Sequence, residues 1–500
     1  IGVTGVQTCA LPICRVELTG VNASVRGNTI AAMAARGATS TLSLKDTHLT
    51  AVSGRGIDAE SGRLVMAGGS VTAYGDAIMA NSVYGVPGGA VEVSDATLSS
   101  SNGYGINLNA DGASAKLRDV SISATRSWGA GIWLIGVDSE LDAVGLHIDS
   151  QSLGIDNRRG RAILRGGSIT TRGNNAHGLY ASREGGTQAT IETYGTRIQT
   201  SGAGSVGALA RVSGASISLT DSTVETEGVV AHGLFSSGTN SKVSATGTVV
   251  RTRGVDATGL AMSNRTIVML DSTQLSTQGV DAFGIWSYVT GDDITNTLFL
   301  TNGSRVDTQD ATALLVTGGN HDFTLRDAQV TARRGGVEDG ALLLHARAID
   351  VTSGGTTTTI EAGQVNLDAA GSTLVGDILA DSGVVDVALK NSSVLTGALI
   401  SRGGRINSLG VDATSTWNVR GASSFGVLNN AGTVRFVAPD ARAGFKTVTV
   451  NDYAGGGTLV MNTRLGDDSS LTDKLVIDGG STSGTTAMRI VNAGGAGGQG

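Results

Sequence analysis

Residues Thr252–Leu260 read Thr-Arg-Gly-Val-Asp-Ala-Thr-Gly-Leu, and this stretch decides the fold. It returns as Thr277–Ile285, which reads Thr-Gln-Gly-Val-Asp-Ala-Phe-Gly-Ile. Looser copies precede it at Thr171–Leu179, Thr200–Ala208 and Thr226–Leu234. Every copy carries Thr-x-Gly, then a second Gly, then an apolar residue. Self-similarity at a period of about 20–30 residues predicts a solenoid rather than a set of globular domains.

The same template recurs from about Leu42 to Ala332. A strand with alternating apolar residues is followed by an Asp or Gly corner, a second short strand, the Thr-x-Gly turn and a third strand. Ile217–Thr226 is a clear copy of the first two strands. Alternation with a period of two indicates strands, and strands this close together leave no room for a crossover helix. We therefore predict an all-β chain that coils as a parallel β-helix, with turns stacked at about 4.8 Å.

The repeated second glycine is followed by an apolar anchor in each copy. The anchors recur every 23 to 29 residues, at Ile106, Ile132, Ile155, Leu179, Ala208, Leu234, Leu260 and Ile285. We expect these anchors to point into the core. We assign the fixed glycines to corners that need a positive φ.

Composition limits the class of protein. Glycine is abundant, at 75 residues, whereas proline occurs only three times, which excludes collagen and Pro-rich linkers. Apolar residues make up 40% and aromatic residues 4%, so the core must be built from Val, Ile, Leu and Ala. The net charge of −7 and the absence of a basic stripe argue against nucleic acid as a partner. No apolar run reaches the length of a membrane helix.

The first residues do not fit the repeat. Segment Ile1–Cys14 resembles a translated sequencing adapter, so we exclude it from the fold; a Cys9–Cys14 disulfide is the alternative. We then divide the chain into a β-helix with long turns over 15–334, a β-helix with shorter turns over 335–412, and a C-terminal cap over 413–500. An open solenoid end needs such a cap against further strand addition.

The C-terminal motifs resemble a known family. They are Trp417-x-Val, Leu-x-Asn-x-Gly-x-Val-x-Phe at Leu428–Phe436, Tyr-x-Gly-Gly-Gly-Thr-Leu-Val-Met-Asn-Thr at Tyr453–Thr463, and Asp-Lys-Leu-Val-Ile at Asp473–Ile477. This order is similar to the passenger region of pertactin-like autotransporters, which use type V secretion. The resemblance covers about Leu367–Gly500 with specific motifs, and rests on repeat style over Leu42–Ala332.

The resemblance implies a fold, a location and partners. It implies a right-handed β-helix exported through the periplasm to the bacterial outer membrane and cell surface, with an autochaperone region at about Trp417–Asn492. It also implies a C-terminal outer-membrane barrel as partner in cis, so we expect a gene product truncated before that barrel. The other expected partners are proteins or glycans on host or neighbouring cells, and we expect a monomer.

Two groups of residues are candidates for chemistry. His177 and His232 share a template position but are two turns apart, with Val206 between them, so we interpret them as exposed turn histidines rather than metal ligands. Asp256 and Asp281 are equivalent residues on adjacent turns. Carboxylates about 5 Å apart can serve a retaining glycosidase, but we interpret these two as a polar ladder at a turn, because the position belongs to the repeat rather than to an inserted site.

No other catalytic motif emerged. Walker A and His-Glu-x-x-His are absent, and Ala380-Asp-Ser-Gly383 lacks the first Gly of a serine-protease motif. We predict no catalytic, cofactor or metal site. The aromatic residues that could stack on sugars or anchor a protein are Trp128, Trp133, Phe283, Trp286 and Tyr288.

The sequence therefore predicts a surface-displayed autotransporter passenger that acts as an adhesin-type binding rod and virulence factor. A β-helix polysaccharide lyase or glycoside hydrolase is one alternative. A passive structural stalk is the other.

Overall fold

The computed structural model describes residues 14–26, 31–291, 294–338, 340–440 and 444–497. The chain divides into two units, Ile1–Ala257 and Thr258–Gly500. Every regular element within the described ranges is a β-strand, and each unit is a parallel β-solenoid. The predicted all-β parallel solenoid is confirmed. Its right-handed sense and the predicted boundaries after 334 and 412 stay predictions.

The first unit has three parallel sheets, named here the first, second and third sheet in the order in which each turn visits them. Strands of the first sheet are Arg15–Thr19, Thr41–Ala51, Arg63–Ala73, Ala90–Ser94, Ser114–Arg118, Glu140–Val144, Arg161–Arg165, Thr190–Tyr194, Ser216–Thr220 and Lys242–Thr246. Thr41–Ala51 and Arg63–Ala73 continue into the second sheet, whose other strands are Asn22–Val25, Thr97–Ser100, Ser121–Ala124, His147–Ser150, Ser168–Thr171, Arg197–Thr200, Thr223–Thr226 and Val249–Thr252. The third sheet contains Ala31–Arg36, Arg55–Glu60, Ile78–Asn81, Ile106–Leu108, Ala130–Leu134, Leu153–Asn157, Leu179–Ala181, Ala208–Arg211 and Leu234–Ser237. An antiparallel hairpin, Arg183–Glu184 with Thr187–Gln188, projects between turns.

The second unit repeats this plan. Its first sheet contains Ile267–Asp271, Thr295–Thr301, Gly319–Arg326, Ala362–Ala370, Val384–Lys390, Arg405–Val411, Ser423–Asn430, Thr447–Gly455, Lys474–Ile477 and Thr482–Ser483. The second sheet contains Gln274–Thr277, Arg305–Thr308, Gln329–Thr331, Thr373–Val375, Val394–Gly397, Thr416–Val419, Thr433–Phe436, Thr458–Thr463 and Ala487–Asn492. The third contains Leu260–Ser263, Ile285–Tyr288, Leu314–Thr317, Leu342–Arg347, Asp377–Ala380 and Leu399–Ser401, and a hairpin joins Ile349–Ser353 to Thr356–Ile360.

The predicted anchors stack in register. In the first unit the ladder runs through Ile78, Ile106, Ile132, Ile155, Leu179, Ala208 and Leu234. In the second unit Leu260 pairs with Ile285, which pairs with Leu314. All of these side chains are fully buried. Because neighbouring turns contribute equivalent apolar residues, each unit buries a continuous core along its length.

The glycine of each Thr-x-Gly corner is required for a different reason from the one we predicted. Gly202, Gly228 and Gly254 do not have positive φ. Instead, a Cβ added at each would overlap the carbonyl oxygen of the equivalent glycine one turn earlier. Our assignment of these glycines to positive φ was therefore wrong, because close stacking of backbone on backbone is what excludes a side chain here.

The positive φ of this corner falls two residues after that glycine. It is carried by Asn175, Val230 and Asp256 in the first unit, with φ of 54°, 55° and 54°. Asp281 has φ of 54° in the second unit. Asn and Asp tolerate the left-handed conformation better than other non-glycine residues, which accounts for their place in the repeat.

The threonine of Thr-x-Gly closes the same corner. Thr200 Oγ1 donates a hydrogen bond of 2.7 Å to the carbonyl oxygen of Ser205, and Thr226 Oγ1 donates one of 2.5 Å to that of Ala231. Both threonines are buried. Each hydroxyl thus satisfies a carbonyl group that the turn withdraws from the strand ladder.

The end of the second unit has an aromatic core. Trp417, Phe425 and Phe436 are buried, and the indole of Trp417 donates a 3.0 Å hydrogen bond to the carbonyl oxygen of Gly397. The last strand, Ala487–Asn492, is exposed along its whole length. In the described part of the chain there is no helix of the length and apolarity that crossing a membrane requires.

Segment 1–13, with Cys9, lies outside the described residues. Cys14 is described and is not a free thiol. The adapter interpretation and the disulfide alternative therefore both stay predictions.

Candidate functional site

The third sheet of the first unit carries two columns of side chains on its outer surface, which we call the polar–aromatic face. The first column consists of residues two positions before each anchor: Arg55, Asp76, Tyr104, Ala130, Leu153, His177, Val206 and His232. The second consists of residues one position after each anchor: Asp58, Met79, Asn107, Trp133, Asp156, Tyr180, Leu209 and Phe235. Ring contacts between the columns show that they share one surface.

Several polar groups on this face are buried although they point away from the core. Asp58, Asn107 and Asp156 are only 3%, 5% and 4% exposed. The cause is the stacking of equivalent side chains at about 4.8 Å, which leaves little room for water between them. Buried polar groups need partners, so the contacts of this face are informative.

Arginine side chains neutralise the buried carboxylates at two places. Arg55 lies 3.5 Å from an Oδ2 atom of Asp58 and 3.8 Å from Oδ2 of Asp76. Arg158 Nε donates to both carboxylate oxygens of Asp156, at 3.1 and 3.2 Å.

Burial nevertheless dominates the titration of two of these acids. It raises the pKa of Asp58 against the opposing charge of Arg55. It also raises the pKa of Asp156 against the hydrogen bond from Arg158. These two acids lie four turns apart in one column, and buried carboxyl groups with a perturbed pKa are candidates for a functional site.

An aromatic pair lies between these two acidic centres. The rings of Tyr104 and Trp133 are stacked, with centroids 4.7 Å apart and planes 17° apart. The backbone amide of Tyr104 donates to Asp76 Oδ1 at 2.9 Å, and Asn107 Nδ2 donates to Asp76 Oδ2 at 3.0 Å. Asp76 thus holds both the aromatic pair and Asn107 in place.

Three buried polar atoms in this region have no hydrogen-bond partner among the described residues. They are Asp58 Oδ1, Asn107 Oδ1 and Trp133 Nε1. Native proteins rarely leave such atoms unsatisfied, because each costs about 1–3 kcal/mol. Asn107 and Trp133 are neighbours on adjacent turns at the aromatic pair, and Asp58 lies two turns from Asn107 in the same column. The adjacent atoms of Asn107 and Trp133 mark this part of the face as a site for a further polar group.

The two histidines proposed as exposed turn residues lie on the same face. His232 is 7% exposed and His177 is half-buried, so the expectation of exposure was wrong. Each imidazole packs on an aromatic ring three residues later, His177 on Tyr180 and His232 on Phe235. Burial lowers the pKa of both to about 4, with the charge of Arg211 adding to the effect at His177.

The structure bears on the histidines considered as metal ligands, but it does not test the pair of carboxylates. Val206, the residue between the two histidines, donates its backbone amide to His177 Nδ1 at 3.0 Å, so that nitrogen is already engaged. Asp256 belongs to the first unit and Asp281 to the second, and both are exposed corner residues. Their pairing stays a prediction.

The predicted aromatic residues are all at least partly exposed. Trp128 is 56% exposed, and the guanidinium of Arg126 lies over its ring. In the second unit the rings of Trp286 and Tyr288 are 4.7 Å apart and tilted by 34°, and Trp286 donates its indole N–H to Thr317 Oγ1 at 3.2 Å. Phe283 is half-buried. Trp286 therefore resembles Trp133 in its setting but has a satisfied indole nitrogen.

Two serines resemble nucleophiles but lack the geometry of one. Ser287 Oγ lies 2.8 Å from His321 Nδ1, and both residues are fully enclosed in the core, where no substrate can reach them. Ser382, from the Ala-Asp-Ser-Gly sequence, is buried and donates to Glu361. His345 contacts Asp381 instead, at 2.9 Å. These contacts give neither serine the arrangement of a catalytic triad.

The part of the chain that carries the C-terminal motifs matches a known family. Residues 423–500 match the family Autochaperone Domain Type 1. Over 234 residues, 40% of this chain, the sequence is 29% identical to the adhesin BmaC autotransporter of Brucella suis biovar 1 (strain 1330). That alignment covers 6% of the relative's own length. A chain in the cryo-EM structure of the Vag8–C1 inhibitor complex aligns over 97% of this chain and 96% of its own, with 15% identity and a TM-score of 0.41.

The solenoid and its C-terminal match together define a passenger segment of an autotransporter. The chain is pertactin-like in this sense, as the resemblance predicted, and passengers of this class are exported to the outer membrane and the cell surface.

Proposed function

We propose that this chain is the binding part of an adhesin-type autotransporter and that it attaches to molecules on a host or neighbouring cell. The observation that carries the proposal is the polar–aromatic face of the first unit. A surface with an aromatic pair, fixed charges and unsatisfied polar atoms has the features of a recognition site rather than of an inert stalk. The similarity to an adhesin-named relative supports the same function.

The test is a binding assay with the purified full chain. Fluorescently labelled protein should bind cultured epithelial cells or bacteria saturably. The double variant Tyr104→Ala/Trp133→Ala should lose most of that binding, whereas the matched pair Trp286→Ala/Tyr288→Ala, on the second unit, should retain it. Absence of saturable binding by the unchanged protein would favour the passive stalk.

A polysaccharide lyase or glycoside hydrolase is the second candidate. It is favoured by the placement of Arg55 between the buried carboxylates of Asp58 and Asp76. Such chemistry requires one carboxyl group to act as acid and another as base or nucleophile. Release of reducing ends or of unsaturated sugars from a panel of polysaccharides, abolished by Asp58→Asn, would establish it.

A further inference from the structure

We propose that the part of the polar–aromatic face around Asn107 and Trp133 binds a neutral oligosaccharide. The inference rests on the proposed binding function and names the ligand class of the same site.

The unsatisfied atoms define the hydrogen bonds that a ligand must supply. Asp58 Oδ1 and Asn107 Oδ1 are acceptors, and Trp133 Nε1 is a donor. Asn107 and Trp133 lie on adjacent turns, so a ligand that satisfies both must offer a donor and an acceptor. Sugar hydroxyl groups do both, whereas a sulfate offers only acceptors and an ammonium group offers only donors.

The aromatic pair supplies the apolar part of the site. Tyr104 and Trp133 are both half-buried, so each ring presents some surface to solvent. The C–H surface of a sugar ring packs on an aromatic ring, while the hydroxyl groups at its edge remain free for hydrogen bonds. An indole stacked against a phenol is rigid, so little conformational entropy is lost when a ligand binds.

The charges of the site favour a neutral ligand. Asp58 and Asp76 share Arg55, and Asp156 is held by Arg158, so the arginines on this face already have carboxylate partners. An anionic sugar would approach three carboxylates, and the arginines that could attract it are already paired with those carboxylates. A cation would approach Arg55 and Arg158. A neutral ligand avoids both costs.

The three unsatisfied atoms are themselves buried, although Trp133 as a residue is only half-buried. Ligand hydroxyl groups reach Asn107 Oδ1 and Trp133 Nε1 through bridging waters, which leaves the stacked pair of Tyr104 and Trp133 in place. A bridging water is nearly as favourable as a direct hydrogen bond and suits a site with several convergent polar atoms.

The experiment uses the full chain on a printed array of neutral, sialylated and sulfated glycans, followed by calorimetric titration with the neutral oligosaccharide that gives the strongest signal. Trp133→Phe keeps a ring but removes the N–H, and should weaken binding about fivefold; Trp133→Ala should weaken it at least about tenfold. Trp286→Phe and Trp286→Ala are the matched controls and should bind as the unchanged protein does. Circular dichroism establishes that each variant is folded.

The outcomes separate this inference from the proposed function. Binding of a neutral glycan that Trp133→Ala loses supports the inference. Binding of charged glycans alone, of no glycan, or equal binding by Trp133→Ala overturns it. If cells still bind the chain in those cases, the proposed function stands with a different ligand; if a neutral glycan binds but cells do not, the proposed function fails instead.

Discussion

The backbone amide of Val206 donates a hydrogen bond to Nδ1 of His177 across 3.0 Å, joining two neighbouring turns of the first unit. The bond requires an unprotonated Nδ1, and burial lowers the pKa of His177 to about 4 from an ordinary value of 6.5. A residue chosen from the sequence as an exposed turn histidine is thus a structural acceptor.

This arrangement predicts a pH dependence of stability. Because the folded pKa is below the unfolded one, His177 contributes stability that is fully present above about pH 6.5 and is lost as the pH falls towards 4. We expect a loss of about 1–3 kcal/mol over that window from this residue. Urea unfolding of the first unit between pH 7 and pH 4 measures it. His177→Asn keeps an acceptor that does not titrate, so its profile should be flatter; parallel profiles would contradict the assignment.

The strained corner at Val230 predicts a stabilising substitution. Val230 has φ of 55° and is 45% exposed, so a β-branched residue occupies the left-handed region without burying its side chain. Val230→Asn should raise the free energy of unfolding by about 1 kcal/mol. Val229→Asn is the control, since Val229 is similarly exposed, at 51%, but does not have positive φ. An equal gain in both variants would show that polarity, not backbone strain, is responsible.

The stacked corner glycines predict a destabilising substitution. A Cβ at Gly228 would overlap the carbonyl oxygen of Gly202, so Gly228→Ala must push two turns apart. We expect a loss of more than about 2 kcal/mol in chemical denaturation. At Gly410 the nearest atom to an added Cβ is 3.9 Å away, and Gly410→Ala should change stability little. Similar values for the two variants would rule out backbone stacking as the reason for the repeated glycine.

The aromatic core of the second unit predicts that stability falls in steps as the side chain of Trp417 is made smaller. Trp417 is fully buried and contacts Phe425 edge-to-face at 5.7 Å. Trp417→Ala should cost about 3–5 kcal/mol, and Trp417→Phe, which removes the hydrogen bond to Gly397 and part of the ring, about 1–3 kcal/mol. Hydrogen exchange at strand Val394–Gly397 should rise in the same order. Trp128→Ala, at an exposed position, should leave that exchange unchanged.

The core of the solenoid was predictable because inward positions obey a simple period. Ile106 and Leu234 follow a repeated glycine, and any side chain at that position enters the core. The roles of the corner residues were not predictable in the same way. A glycine is required both by positive φ and by close approach of another chain segment, and a single sequence does not distinguish the two causes at Gly228.

The candidate site could be predicted only in part. Trp133 was identified as a potential contact residue by its type. Its pairing with Tyr104 requires aligning the positions before and after each anchor, a signal that the repeat contained and that our prediction did not use. The unsatisfied state of Asn107 depends on how its neighbours pack, which no local pattern encodes.

The strict register of the turns has a genetic consequence. Thr200 and Thr226 occupy the same position on neighbouring turns and start the same corner. A recombination event that joins the codon of Thr200 to the codon of Glu227 would delete one whole turn and still bring the following strand into its proper place. Unequal crossing-over within the gene can therefore add or remove whole turns while the remaining strands keep their register. Populations of the bacterium should contain alleles that differ by whole repeats.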